Sequence, residues 1–317
     1  MLNDSRDFDV IDFHNHYIPA RLEQAVVQAA PASQRARWEV LARRLSDEDL
    51  LLASMREGDL SARVVNIPPA LIADPQGCVP HETIVALNDE LAGLVARHPG
   101  RIHGLASVDA YDGERSGREA ERAIRDLGLR GLHVDCARGE RMLDAPEARP
   151  TLEVAAKYGV PVFMHPVAPQ PLSGQMSPYG PIGALFARGT ANSAALIALV
   201  EGSVFSQLPA LRVVVTSMAF GGLAMAAGLS SQSRLPDGAL AVMRKHVFID
   251  TTVLHPALLR ASVDLLGADN VIAGSDWPIV DAPLRGRLIA ALQSARLTEA
   301  EQRGIAAGNT LRLLGVG

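Results

Sequence analysis

Cysteine is nearly absent. The chain has two, Cys78 and Cys136, far apart and in no metal-like spacing, which argues against a disulfide scaffold and against a thiolate zinc site. Any metal here is to be held by nitrogen and oxygen. Runs of Lys and Arg are missing too, and the net charge is −5, so the sequence carries no electrostatic footprint for nucleic acid. Long apolar runs are lacking: no window approaches the roughly 18 uninterrupted apolar residues of a membrane span. Residues 1–9 have no basic segment followed by an apolar stretch. These absences read as a cytoplasmic protein with neither a nucleic-acid nor a membrane partner. Aromatic residues are sparse at 4%, yet Tyr17, Phe163, Phe220 and Trp277 all fall near expected strand ends, where they can wall a pocket or join the core.

What is present is ample material for a large core, with 48% hydrophobic and 21% charged residues among 317. Short β-branched runs alternate with longer amphipathic stretches, the pattern of repeated βα units and a parallel sheet. Eight strands are expected, at 10–14, 63–67, 102–108, 129–134, 160–165, 211–217, 247–251 and 271–275, each nearly all apolar as strands buried on both faces are. Helices are expected at 82–98, 118–127, 147–158, 191–205, 256–266 and 298–314, the last opened by the capping-box pattern from Thr298 to Glu301. Eight strands with intervening helices predict a distorted (β/α)8 TIM barrel, one domain over 1–317. Two stretches break the rhythm: 17–62, too long for a usual βα connection, and 166–190, rich in Pro, Gly and Ser. Both follow strands, so both are expected on the active-site face and to shape a substrate pocket.

The sharpest local signal is Ile11-Asp12-Phe13-His14-Asn15-His16, at the end of the first expected strand. Histidines at i and i+2 on a strand project from one face, so His14 and His16 can reach one ion; elsewhere such a pair is ordinary packing. His165 closes the apolar run Val162-Phe163-Met164, and Asp276 ends the last strand in Gly274-Ser275-Asp276-Trp277-Pro278. Alone, the first reads as a core histidine and the second as a turn residue or helix cap. Together, strands one, five and eight place four ligand-type side chains around one rim. Three imidazoles and a carboxylate suit Zn2+, or another divalent transition metal such as Mn2+, with a position left open for water.

These landmarks resemble the amidohydrolase superfamily, in the branch typified by α-amino-β-carboxymuconate-ε-semialdehyde decarboxylase, often called amidohydrolase family 2. The resemblance also rests on Gly202-Ser203-Val204-Phe205, on Leu208-Pro209-Ala210-Leu211-Arg212-Val213 and on Gly308-Asn309-Thr310, and it runs from residue 9 to about 315. It implies His14, His16, His165 and Asp276 as metal ligands, Asp276 also taking a proton from bound water, a small carboxylate-bearing cyclic or unsaturated substrate, and a homodimer. One departure stands out. Members of the family carry a histidine just after the sixth strand, before Gly-Gly; here the stretch reads Thr216-Ser217-Met218-Ala219-Phe220-Gly221-Gly222, and neither Ser217 nor Met218 shuttles protons near neutral pH.

His255, just beyond the seventh strand, is the candidate catalytic substitute, its rival reading being a helix-start residue before Pro256. His133, within the fourth strand and able to point into the barrel, is the other, its rival and favoured reading being a structural histidine. His81, His98, His103 and His246 are read as structural. Arg43, Arg44 and Arg63 are candidate anion binders or else ordinary surface charges. An absent acid/base group hurts decarboxylation more than attack by metal-activated water, so hydrolysis of an amide, lactone or related bond is placed first. Non-oxidative decarboxylation is the alternative, and a barrel surviving only as a binding protein is third.

Overall fold

β-Branched runs resolve into eight parallel strands in a computed structural model that describes residues 8–30, 32–74 and 76–316. They are β1 (Ile11–His16), β2 (Ala62–Asn66), β3 (Ile102–Ser107), β4 (Leu132–Asp135), β5 (Pro161–His165), β6 (Arg212–Val215), β7 (Val247–Asp250) and β8 (Val271–Ile272). Each pairs with its neighbour in chain order. The Phe13 N–H donates to the Ala273 carbonyl at 2.8 Å and the Asp276 N–H to the His14 carbonyl at 2.9 Å, which carries the ladder from β8 back to β1 and closes the barrel. All eight expected strands are found, and the expected (β/α)8 barrel with them.

Phe13, Val64, Leu105, Phe163, Val214 and Ile272, from six of the eight strands, fill the interior, while the alternate residues pack outward against helices. On β5 this alternation places His165 on the same face as Phe163. β1 departs from it: its register against β2 shifts between Asp12 and Asn15. That irregularity lets Phe13 enter the core, its ring 5.5 Å from Phe163, while His14 lies 4.8 Å from the same ring.

Around the barrel, Pro256–Leu266 matches the expected helix, and the Thr298–Glu301 capping box forms as read. The terminal stretch divides into Glu299–Arg303, a π-helical turn at Gly304–Gly308 and Asn309–Leu314. Two readings need correcting. The helix expected from 191 begins at Gly180 and runs to Glu201, because Pro181 sits in the first turn, where no N–H is needed, and Ala184-Leu185-Phe186-Ala187 continues it. The stretch 166–190 is therefore largely helical. The stretch 17–62 is helical as well, with Glu23–Ala29, Arg35–Ser46 and Glu48–Glu57, and it anchors Leu41, Leu45, Leu51 and Met55 in the core. By length and composition Leu172–Glu201 is apolar enough to cross a membrane, but Ala187, Ala191, Ala195, Leu196 and Leu199 on it are buried.

Candidate metal centre

Four ligand-type side chains meet where the strands end. His14, His16 and His165 each offer a ring nitrogen, all within 4.8 Å of one another and all buried. The His14 and His16 Nε2 atoms are 3.2 Å apart, and Asp276 Oδ1 lies 3.5 Å from the first and 3.2 Å from the second. Asp276 thus faces two of the imidazoles, whereas the group within mutual reach is the three histidines. Asp276 gets there by adopting φ +64°, a left-handed conformation that costs a non-glycine residue energy and is tolerated where the fold over-determines it. Gly274 makes room: a Cβ there would stand 2.9 Å from the His14 Cβ and 3.2 Å from that of Asp250.

The far ring nitrogens explain why the near ones converge. His14 Nδ1 donates to Asp250 Oδ2 at 2.7 Å, and His16 Nδ1 to Asn66 Oδ1 at 2.8 Å. Protons fixed on Nδ1 leave the Nε2 lone pairs pointing at each other and at Asp276, which is repulsive unless something positive lies among them. Burial alone would push the His14 pKa down; the Asp276 charge and the Asp250 hydrogen bond outweigh it and hold His14 above its ordinary value. Burial likewise resists ionisation of Asp276, yet His14 and then His16 keep it below the usual carboxylate range. His165 is pushed well below its ordinary value by burial and by His16, so it offers a neutral imidazole. A divalent metal fits this donor set.

Asp250 is the residue the sequence reading passed over. Its Oδ1 accepts the Ser217 N–H at 2.8 Å and the Thr252 N–H at 3.1 Å, while Oδ2 accepts the His14 Nδ1–H and the Thr252 hydroxyl. It ends β7 as Asp276 ends the β8 arm, so the same strand-end argument finds it. The position of the missing histidine is now explained in part: Ser217 orients Asp250, and Met218 lines an apolar hollow with Ile182, Phe186, Met225 and Val253.

The structure does not bring His255 to this group. It is exposed, and its Nδ1 accepts the Ala257 N–H at 3.3 Å, capping the helix that Pro256 opens. The helix-start reading describes its geometry. Arg63 is a buried strut, paired with Asp12 and lying 4.5 Å over the Trp277 ring, and Arg44 pairs with Asp281. Arg43 lies with Glu23, Asp47, Glu48 and Asp49 around a surface hollow. Tyr17, Phe163 and Trp277 are core residues, and Phe220 is partly buried against the core.

Arg188, which the sequence did not single out, is half-buried, donates from Nη2 to the Pro166 carbonyl at 3.2 Å, and its charge acts on His165, Asp276 and Asp135. Beside the metal group, Asp135 ends β4. Burial, and then the Asp109 charge, pushes its carboxyl up to about 7. It lines a cavity of about 620 Å³ walled also by Val79, Val108, Tyr111, Arg138 and Val167. The stretch 166–190 contributes to that lining; 17–62 does not.

A closed eight-stranded barrel with three convergent imidazoles at the strand ends defines a metal-site barrel of the amidohydrolase type. The chain belongs to the amidohydrolase family, which it matches over residues 11–316. It is 26% identical over 285 residues, 85% of its own length and 77% of the relative's, to 2-amino-3-carboxymuconate-6-semialdehyde decarboxylase of Dictyostelium discoideum. Its fold is similar to that of 5-carboxyvanillate decarboxylase from Sphingomonas paucimobilis, with a TM-score of 0.84, 21% identity and coverage of 98% of this chain and 100% of the other. It is similar also to a dihydroxybenzoic acid decarboxylase from Polaromonas sp. JS666 with bound manganese, at a TM-score of 0.82, 22% identity and coverage of 97% of each chain.

Proposed function

We propose that the chain is a metal-dependent, non-oxidative decarboxylase of a small aromatic or unsaturated carboxylate. The observation that carries the chemistry is the convergence of His14, His16, His165 and Asp276. The reaction type is supported by the relatives, decarboxylases by name, and this reverses the order given to hydrolysis and decarboxylation from the sequence. That order assumed that the absence of the histidine after β6 hurts decarboxylation more than attack by metal-activated water, with His255 and His133 as the candidate substitutes. Arg188 and Asp135 weaken that assumption.

In this reading His14, His16, His165 and Asp276 would hold a divalent ion, Zn2+ or Mn2+, which when bound would supply Lewis acidity towards the substrate's oxygens. Arg188 offers its guanidinium to the substrate carboxylate. The bond from ring carbon to carboxylate breaks, its electron pair stays on carbon, a proton is added there, and carbon dioxide leaves. Asp276, held ionised with one oxygen against His14 and His16, would relay that proton from solvent to the carbon through its other oxygen. Asp250 and Asn66 keep the imidazoles in the tautomer that faces inward.

The test is turnover in D2O of a panel of hydroxybenzoates, open-chain unsaturated acids, lactones and amides. Carbon dioxide release with one deuterium on the vacated carbon is the expected result. Incorporation of 18O from labelled water with no carbon dioxide would return the hydrolase to first place.

The homodimer implied by the family resemblance has a physical counterpart. Tyr179, Ile182, Leu185 and Phe186 on one helical segment, with Met225, Leu229 and Val253 nearby, are exposed apolar side chains, Ile182 at 81%. A second copy covering this face with the same face would be the usual symmetric solution. The double variant Ile182→Asp/Phe186→Asp is then expected to halve the mass in sedimentation while keeping bound metal. An unchanged mass would show that this face is not an interface between copies.

A further inference from the structure

We propose that β4 carries a second polar subsite, formed by His133 and Asp135, that holds a hydroxyl or amine substituent of the substrate beside the metal group. It rests on the decarboxylase reading only in taking the ligand to be a carboxylate.

The two residues stand at i and i+2 on β4, so their side chains share the inward face. His133 is fully buried and neither of its ring nitrogens has a hydrogen-bond partner; Asp135 Oδ1 is buried and unpartnered as well. Across the strand pair, where Asp135 stands opposite His165, the His165 Nδ1 is also unpartnered. Buried polar atoms are almost always paired, so four orphans on adjacent strand ends are a site waiting for polar partners and not a packing accident.

Its position ties it to the substrate. Asp135 lines the 620 Å³ cavity, and the His133 ring lies 5.1 Å from His165 and 6.3 Å from His16. The inward face of β4 therefore runs from the cavity down to the metal group. The partner's chemistry follows from the orphans. A carboxyl oxygen accepts, and a neutral imidazole both donates and accepts, so a substituent that donates and accepts completes the pair, while an ether or a bare ring hydrogen does not. A second carboxylate is a poor fit, since Arg138 on the cavity wall is already neutralised by Asp109 at 2.5 Å.

Equilibrium binding separates this subsite from catalysis. The metal-loaded protein is titrated calorimetrically with benzoate, the three hydroxybenzoates and their methoxy counterparts. At least one hydroxyl isomer is expected to bind about 10-fold or more tighter than its methoxy partner, because a site built to pair a hydroxyl discriminates strongly against its loss. In Asp135→Leu and His133→Phe that preference is expected to shrink below about 3-fold, with metal content and benzoate affinity nearly unchanged. If circular dichroism shows either variant misfolded, Asp135→Asn or His133→Gln takes its place under the same criterion.

No hydroxyl preference in the wild type, or a preference that persists in both variants, would mean that water alone fills the subsite. Loss of bound metal in the variants would overturn it too, by making these residues part of the metal centre. Hydroxyl preference without carbon dioxide release leaves the subsite standing and removes the decarboxylase; failure of every benzoate to bind removes both.

Discussion

His165→Ala, purified without added metal, is expected to contain little or no Zn2+ or Mn2+ and to lose about 10³-fold or more in kcat/KM, the order of effect when several kcal/mol of Lewis-acid stabilisation is removed. The argument is geometric. His14 and His16 come from one strand, so His165 on β5, four strands round the barrel, would supply the one nitrogen from another element. With it gone, two imidazoles and Asp276 remain, from the neighbouring ends of β1 and β8, too few to hold the ion tightly. Asp276→Asn tests the carboxylate separately: it keeps the volume and the strained backbone but removes the charge that His14 and His16 face. Its rate is expected to fall as far, with metal content reduced by less. Elemental analysis beside steady-state kinetics reads both. Full metal occupancy and wild-type rates in His165→Ala would show that the convergent imidazoles are not the working centre.

The barrel was legible because its signal is repeated. Eight apolar runs, each ended by a turn, agree with one another even where single boundaries are off by a few residues, as at 129–134 against Leu132–Asp135. The four ligand-type residues were legible because side chains at the ends of barrel strands point to one rim. The residues that orient them were harder. Asp250 follows the same rule as Asp276, but its partner His14 is 236 positions away, and nothing local announces a hydrogen bond across that distance. Arg188 was hidden differently: it sits on a helix whose first turns were read as irregular, so its position relative to the site was not available. His255 misled because a histidine before a helix-opening proline has a local task, pairing the Ala257 N–H, that outcompetes a reach to the barrel mouth. His133 and Asp135 were within reach of the argument, being inward-facing on β4, yet only the structure shows that their polar atoms are unpartnered.

Asp12→Ala is expected to be among the most destabilising single substitutions outside the metal ligands, by about 3–5 kcal/mol, the usual penalty for breaking a buried ion pair from one side. Asp12 accepts the Ser275 N–H at 2.9 Å and the Ser275 hydroxyl at 2.6 Å, and its carboxylate lies 3.5 Å from Arg63 Nε. It therefore joins β1, β2 and the β8 arm at the seam where the barrel closes. The two ends of the pair are not equivalent. Arg63 is held down to about 10 by burial against the pull of Asp12, and a guanidinium gives up its proton far less readily than a carboxylate takes one. Asp12 is already raised by burial, with Arg63 and Ser275 only partly offsetting this, so it can take up a proton when Arg63 is removed. Arg63→Met should accordingly cost less than Asp12→Ala, and Asp12→Leu/Arg63→Met should recover part of the loss, since no buried charge remains. Because Asp12 is two residues from His14 and its partner Ser275 directly precedes Asp276, the single variant should also bind metal more weakly. Urea unfolding of the three variants checks the order. If Asp12→Ala costs less than about 1 kcal/mol, the value of a single neutral hydrogen bond, the main-chain bonds between β1 and the β8 arm hold the seam unaided.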